Sequence, residues 1–367
     1  MLNILICFGT RPEAIKLAPV CNELKNRGLD YKICATGQHK EMLQQVLDFF
    51  QIQPHYNLGL MRPNQNLNSL SARLLQGIDD VLSKNNFNLV IVHGDTTTSS
   101  MAALAAFHKG IKVAHVEAGL RTHNKLSPFP EEINRQITGR IADFHFSPTQ
   151  KTKANLLKEG IKNKHIYITG NTVVDALLAA KSKLAGSYFN SETLKLSELL
   201  DIKKNLILVT GHRRENFGDG ILTLCKALKA LAKNKDLEIV FPVHLNPNVD
   251  TVVRNQLKEI DNIYLIPPVN YPTFIWLMDR AKLIISDSGG IQEEAPALNV
   301  PVIVTRDNSE RMEGVALGCS HLVGSDFNKI ISKTKQLLKL PKTEMLNPYG
   351  DGKASQKIVD ILLKHAK

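Results

Sequence analysis

The sequence predicts an α/β protein of two doubly wound parallel sheets of similar design, and three observations predict it. Apolar runs of four to seven residues alternate with helix-period segments along the whole chain, the pattern of a parallel sheet covered by helices. Each half carries about six runs: 2–8, 30–35, 89–93, 112–116, 143–147 and 165–169, then 205–210, 237–242, 262–266, 282–286, 300–304 and 320–323. Between the halves, 181–204 is polar, rich in Ser and Lys, and holds no strand, so a hinge is expected near 171–204. The expected domains are 1–170 and 171–352. A last helix over 353–366 follows the loop signal Asn347-Pro348-Tyr349-Gly350-Asp351-Gly352 and is expected to pack back on the first domain.

Composition bounds the function. A chain of 367 residues is long enough for two domains, and 43% hydrophobic content is ordinary for a soluble globular protein. The excess of 46 Lys and Arg over 35 Asp and Glu gives a net charge of +11. Its lysines are spread over helix faces such as 151–165 and 329–342, not gathered into a basic stripe with interleaved aromatics. Solvated surface and attraction of anionic metabolites therefore explain the charge, and no nucleic-acid partner is expected. Five cysteines (Cys7, Cys21, Cys34, Cys225 and Cys319) have neither pairing nor metal-like spacing. Cys7 and Cys21 sit in apolar surroundings and read as core thiols of a protein from a reducing compartment. The chain opens on a strand-like run, and no segment approaches the roughly 20 apolar residues that cross a bilayer. A cytoplasmic protein without membrane contact is expected.

Ligands of open α/β sheets bind outside the carboxyl ends of the strands, so the residues that follow each strand are the site candidates. After the first comes Gly9-Thr10-Arg11-Pro12-Glu13-Ala14-Ile15-Lys16. Thr10 and Glu13 have capping-box spacing and Pro12 suits a first helical turn, but capping does not account for Arg11, which is expected to face an anion. His93-Gly94-Asp95-Thr96-Thr97-Thr98 reads equally as a helix cap or a site. Val116-Glu117-Ala118-Gly119-Leu120-Arg121 sets a carboxylate directly after a buried strand, where an acid needs a partner or a task. Pro128-Phe129-Pro130-Glu131-Glu132-Ile133-Asn134-Arg135 adds acids at a helix start, one of which the helix dipole would favour anyway.

In the second half, Thr210-Gly211-His212-Arg213-Arg214-Glu215-Asn216 brings a histidine flanked by arginines to a strand end, a candidate for acid/base work. Pro242-Val243-His244-Leu245-Asn246-Pro247 and Arg306-Asp307-Asn308-Ser309-Glu310-Arg311 read equally as loop or site. Ser286-Asp287-Ser288-Gly289-Gly290-Ile291-Gln292-Glu293-Glu294 joins a strand to a helix through two glycines. It is either an ordinary corner or a place where backbone approaches a phosphate at a helix start, with Glu293 and Glu294 left for sugar or ribose hydroxyls. There is no P-loop, no Gly-x-Gly-x-x-Gly turn after the first strand and no zinc spacing. The residues alone point to a two-domain enzyme acting on a diphosphate-bearing small molecule by proton transfer, without metal or redox cofactor.

Taken together, these stretches resemble the non-hydrolysing UDP-N-acetylglucosamine 2-epimerases, in family order and over nearly the whole chain. The resemblance implies a glycosyltransferase-B-like fold: two Rossmann-like domains, an active site in the interdomain cleft, and a homodimer. It implies interconversion of UDP-GlcNAc and UDP-ManNAc for surface polysaccharide synthesis. The C2 hydrogen of the sugar is not acidic, so the route implied is loss of UDP to 2-acetamidoglucal and readdition with a proton delivered to the opposite face. By the same resemblance Asp95, Glu117, Glu131 and His212 are the catalytic set, with the residue that takes the C2 proton left open. Arg11, Lys16, Phe274, Ser288, Gly289, Gly290, Glu294 and Arg311 match substrate-binding positions, with Arg135 and Arg213 as neighbours. Gln38, Gln65 and His244 match a regulatory UDP-GlcNAc site of some bacterial members, while Glu41 and Asn64 depart from it, and Met312 departs from the usual Glu-Arg-Pro-Glu. The alternatives are an epimerase of a modified UDP-HexNAc, a retaining glycosyltransferase of the same fold, or a non-catalytic UDP-sugar sensor.

Overall fold

Continuous apolar runs form strands, as every predicted run does, and central ones such as 4–8 and 89–93 are buried throughout while the shorter strands toward the sheet edges are only partly buried. The computed structural model describes residues 2–37, 40–62, 65–186, 188, 190–211, 213 and 216–365, with backbone only for 40–42. The strands are β1 (Ile4–Phe8), β2 (Tyr31–Ala35), β3 (Tyr56–Asn57), β4 (Leu89–His93), β5 (Lys112–Val116), β6 (Phe144–Ser147), β7 (Ile166–Ile168), β8 (Asn205–Thr210), β9 (Leu237–Pro242), β10 (Ile263–Ile266), β11 (Leu283–Ser286), β12 (Val302–Val304) and β13 (Ser320–Leu322). Among the described residues, only β3, a two-residue edge strand, has no apolar run to announce it. All pairings are parallel.

Two compact units result: Met1–Ala176 with Tyr349–Lys367, and Leu177–Pro348. The first sheet runs β3-β2-β1-β4-β5-β6-β7 and the second β10-β9-β8-β11-β12-β13. Both follow the doubly wound order in which the first strand lies beside the second and the fourth. The chain reverses direction of travel between β1 and β4, and again between β8 and β11. Those two switch points are where such sheets open a crevice at their carboxyl ends.

In the first unit, β1 is fully buried from Ile4 to Phe8. The helix Thr97–His108 buries Ala102, Ala103, Ala105 and Ala106, small residues that let it lie close to the sheet. The expected capping box at Thr10 and Glu13 starts the helix Arg11–Asn26. In the second unit Ile207, Val209, Ile239, Phe241, Leu283 and Ile285 share one core with the helix Asp219–Leu231. All five cysteines are buried free thiols, Cys7 and Cys21 among them, and burial pushes the Cys21 thiol up to about 12.

The C-terminal segment belongs to the first unit. Gly170 and Gly350 touch backbone to backbone: a Cβ on Gly170 would lie 3.1 Å from the Gly350 Cα. Beside them the Asn171 N–H donates to the Tyr349 carbonyl at 2.6 Å. The helix Ala354–Lys364 has no cap of its own, and the Asp175 carboxylate supplies one, accepting from the N–H groups of Ala354 (3.2 Å) and Ser355 (2.7 Å).

Candidate active site

Beside the switch point of the first sheet, β4 and β5 end next to each other, His93 opposite Val116, and the Gly94 N–H donates to the Val116 carbonyl. An acid follows each strand: Glu117 directly after β5 and Asp95 two residues after β4. Glu117 has φ +63, the left-handed region that a residue with a Cβ enters only at a cost. Its carboxylate is buried, and one oxygen, Oε2, takes everything: the Lys16 ammonium, the Asn171 amide (2.7 Å) and, at 3.5 Å, His93 Nε2. Burial would push this carboxyl up, but Lys16 first and then His93 hold it well below the usual carboxylate range.

Asp95 is one residue past Gly94, partly exposed, and paired with the Arg135 guanidinium at 2.5 Å. Its turn is fixed from behind. The His115 Nε2–H donates to the Gly94 carbonyl at 2.7 Å, and burial lowers that imidazole to about 3, so it stays neutral. Asn134 donates to the Asp95 carbonyl at 3.0 Å. Glu131 opens the helix Glu131–Ile141, half-buried, one turn before Arg135 and on the same helix face. Glu132 is fully buried and takes the N–H groups of Thr122 and His123, so the two adjacent acids have different tasks. Arg11 starts its helix at the end of β1, partly exposed. Glu13 is buried beneath it and collects the Gly9 and Thr10 N–H groups and the Thr96 hydroxyl, and burial pushes its carboxyl up.

At the second switch point, Asp287 follows β11 and accepts from the Arg213 N–H (2.9 Å) and Asn216 (3.1 Å), which ties the loop after β8 to the loop after β11. The helix expected after Gly290 is short: Gly289–Glu294, then a 3-10 turn Ala295–Leu298. Neither Gly289 nor Gly290 has a positive φ. A sharp turn is therefore not what requires them. A Cβ on Gly289 would lie 2.6 Å from Arg311 Nη1, so this glycine admits a guanidinium lying across the backbone. Glu293, expected near sugar hydroxyls, is buried and holds Arg311 Nε at 2.7 Å. Glu310 takes Arg311 Nη1 and, at 3.2 Å, Arg306. Burial alone would push its carboxyl up, yet Arg311 and then Arg306 and Arg213 bring it to about 2. Glu294 is partly exposed. Phe274 lies half-buried in the first turn of the helix Tyr271–Arg280, after β10.

The family model described as UDP-N-acetylglucosamine 2-epimerase matches residues 22–363. The UDP-N-acetylglucosamine 2-epimerase of Campylobacter jejuni is 50% identical, with 99% of this chain and 97% of that protein covered. The chain belongs to the UDP-N-acetylglucosamine 2-epimerase family. The epimerase of Salmonella borreze is likewise 50% identical, covering 98% of each chain. The crystal structure of the Neisseria meningitidis epimerase bound to UDP-GlcNAc superposes with a TM-score of 0.91 at 45% identity, covering 99% of this chain and 100% of that one.

Against this family the structure gathers Asp95, Glu117, Lys16 and Arg135 at one sheet edge, with Glu131 on the helix that carries Arg135. It gathers Arg213, Gly289 and Arg311 at the other, with Ser288 as the N-cap residue of the short helix. Lys16 and Arg135, expected at the substrate, are ion-paired to the two acids. Of the expected regulatory set, Gln65 is held by Arg73 through its amide oxygen, and His244 is exposed, its Nδ1 accepting from the Asn246 N–H at 3.1 Å. Gln38 and His212 lie outside the described residues, as does the side chain of Glu41. The sequence reading gave no role to His93, His115 or Asn171. The strand-end rule applied to the run 165–169 would have found Asn171.

Proposed function

We propose that the chain interconverts UDP-GlcNAc and UDP-ManNAc by eliminating and readding UDP. The single observation that carries this reading is the pair of carboxylates that follow adjacent strands β4 and β5, each paired with its own cation. Acids at strand ends beside a switch point are suited to move protons. In the forward direction the C2–H bond breaks, its electrons form the C1=C2 bond, and the C1–O bond breaks to release UDP. In the return, a UDP oxygen adds to C1 while a proton reaches C2 from the other face.

In this reading Asp95, Glu117, Glu131 and His212 handle the protons. Arg213, Phe274, Ser288, Gly289, Gly290, Glu294 and Arg311 hold UDP, and Arg11 and Lys16 temper the charge of the departing diphosphate. With a helix of only six residues, backbone N–H groups and guanidinium groups take the phosphates, and a macrodipole adds little. The product would serve polysaccharide assembly in the cytoplasm and the enzyme would work as a homodimer. Light scattering checks the latter. Among the described residues no helix is long and apolar enough to cross a membrane. The decisive test is turnover of UDP-GlcNAc in deuterated water. Deuterium is expected at C2 of both sugars, and retained protium in a converted product rules the mechanism out.

A further inference from the structure

Glu117 is presented in an unusual way. All three of its neighbours meet Oε2, and among the described residues Oε1 makes no hydrogen bond. Oε1 points toward Gly94, where even an added Cβ would stay 3.8 Å away. One oxygen is anchored and the other is left with room beside it. Lys16 cannot impose this alone, because an ammonium on a four-carbon stem is a rotatable point charge.

Asn171 can. Its Oδ1 accepts from the Val173 N–H at 3.1 Å, which fixes the amide so that Nδ2 must face Glu117. Its own N–H is tied to the Tyr349 carbonyl. That carbonyl reaches it because Gly170 (φ +90) and Gly350 (φ +136) let two backbones meet, with only 3.2 Å between a Cβ built on Gly170 and the Tyr349 oxygen. The contact joins residues far apart in sequence, 170 and 350, and a side chain on either glycine would pry it open.

We propose that Asn171 is a positioning residue for Glu117, and that the returning C-terminal segment sets Asn171 in place through the Gly170–Gly350 contact. The inference rests on Glu117 being an acid/base group of the proposed epimerase. The charged or titratable groups that face Glu117 are Lys16 from the helix after β1 and His93 from β4, with Asp95 on the adjoining turn.

Three full-length single variants and one double variant test it, each measured for UDP-GlcNAc turnover against pH and for UDP affinity by calorimetry. Asn171→Leu keeps the shape and removes the donor, and turnover is expected to fall about tenfold or more at unchanged UDP affinity. Asn171→Asp sets a second carboxyl against Oε2. Lys16 and His93 favour the anion on Glu117, so the shared proton sits on the introduced carboxyl and replaces the amide donor. This variant is expected to turn over best at the acid end and to lose activity as that proton leaves, a descending limb absent from the wild type. A merely structural Asn171 would not move the pH profile. Gly350→Ala is expected to lower turnover in the same direction, and adding it to Asn171→Leu to cost less than the product of the two single effects.

Wild-type turnover in Asn171→Leu, or an Asn171→Asp profile parallel to the wild type, overturns the proposal. If Asn171→Leu fails to fold, Asn171→Asp and Gly350→Ala decide. Wild-type protein that does not convert UDP-GlcNAc at all defeats the reading of the site instead, so the two failures are told apart.

Discussion

Replacing Gly289 by Ala puts a methyl group where Arg311 now lies: 2.6 Å from Nη1, 2.8 Å from Cζ and 3.2 Å from Nε. Real Cβ atoms do not sit that close, so the guanidinium must slide. It cannot slide freely, because Nε is bonded to Glu293 at 2.7 Å, Nη1 to Glu310, and the backbone N–H to the Ser309 hydroxyl at 3.1 Å. Glu293 is only 2% exposed. Removing one partner of a buried ion pair costs about 3–5 kcal/mol. Here the cation is displaced and not deleted, so we expect roughly half of that, about 2 kcal/mol, from the second unit. Gly290→Ala is the control. Its Cβ would meet nothing nearer than Ser288 Oγ at 4.0 Å, and exchanging Gly for Ala within a helix gains about 0.5–1 kcal/mol. Urea unfolding and UDP calorimetry on both variants separate the two roles. Gly289→Ala should lose stability. Gly290→Ala should keep or gain stability while losing about tenfold in UDP affinity, since its open face is the one assigned to the diphosphate. A Gly289→Ala protein as stable as the wild type would refute the argument that Arg311 requires this glycine.

Lys16→Met should leave Glu117 buried without its main cation. The Glu117 carboxyl now sits below its unfolded value, so it contributes stability above about pH 4.3 that is lost as pH falls through the depressed folded value. Without Lys16 burial dominates and the sign reverses, so the stability gap between wild type and variant should widen from pH 4 to 7, as denaturant titrations at several pH values would show. Asp95→Asn and Glu131→Gln should retain UDP affinity and lose about 100-fold in turnover, and wild-type rates would remove either residue from the proposed acid/base set.

Much of the frame was legible because a strand covered on both faces must be apolar throughout. Runs such as 89–93, 112–116, 205–210 and 237–242 coincide with β4, β5, β8 and β9 to the residue. The caps were legible too, since Thr10 and Glu13 are three apart on the chain. Illegible were features that depend on partners distant in sequence. Lys16 and Glu117 are 101 positions apart and Asn171 and Glu117 54 apart, so neither contact has a local signature. The same holds at Gly289, where the sequence suggested a corner or a close approach to phosphate but the contact that requires glycine is with Arg311, farther along the chain. Glu293 and Glu294 are adjacent and chemically identical, yet one is buried against Arg311 and the other stays partly exposed, a difference that only helical phase and packing create.

The two sheets share one winding order, and its corollary is a division of labour between homologous slots. In one unit the turns after the fourth and fifth strands hold acids whose counter-cations come from helices, and in the other the turns after the first, fourth and fifth strands hold glycines and guanidinium groups. The apolar layers beneath are alike and indifferent to which set they carry. The groups assigned to the proposed chemistry therefore sit in short turns at strand ends, above aliphatic layers that contribute none of them.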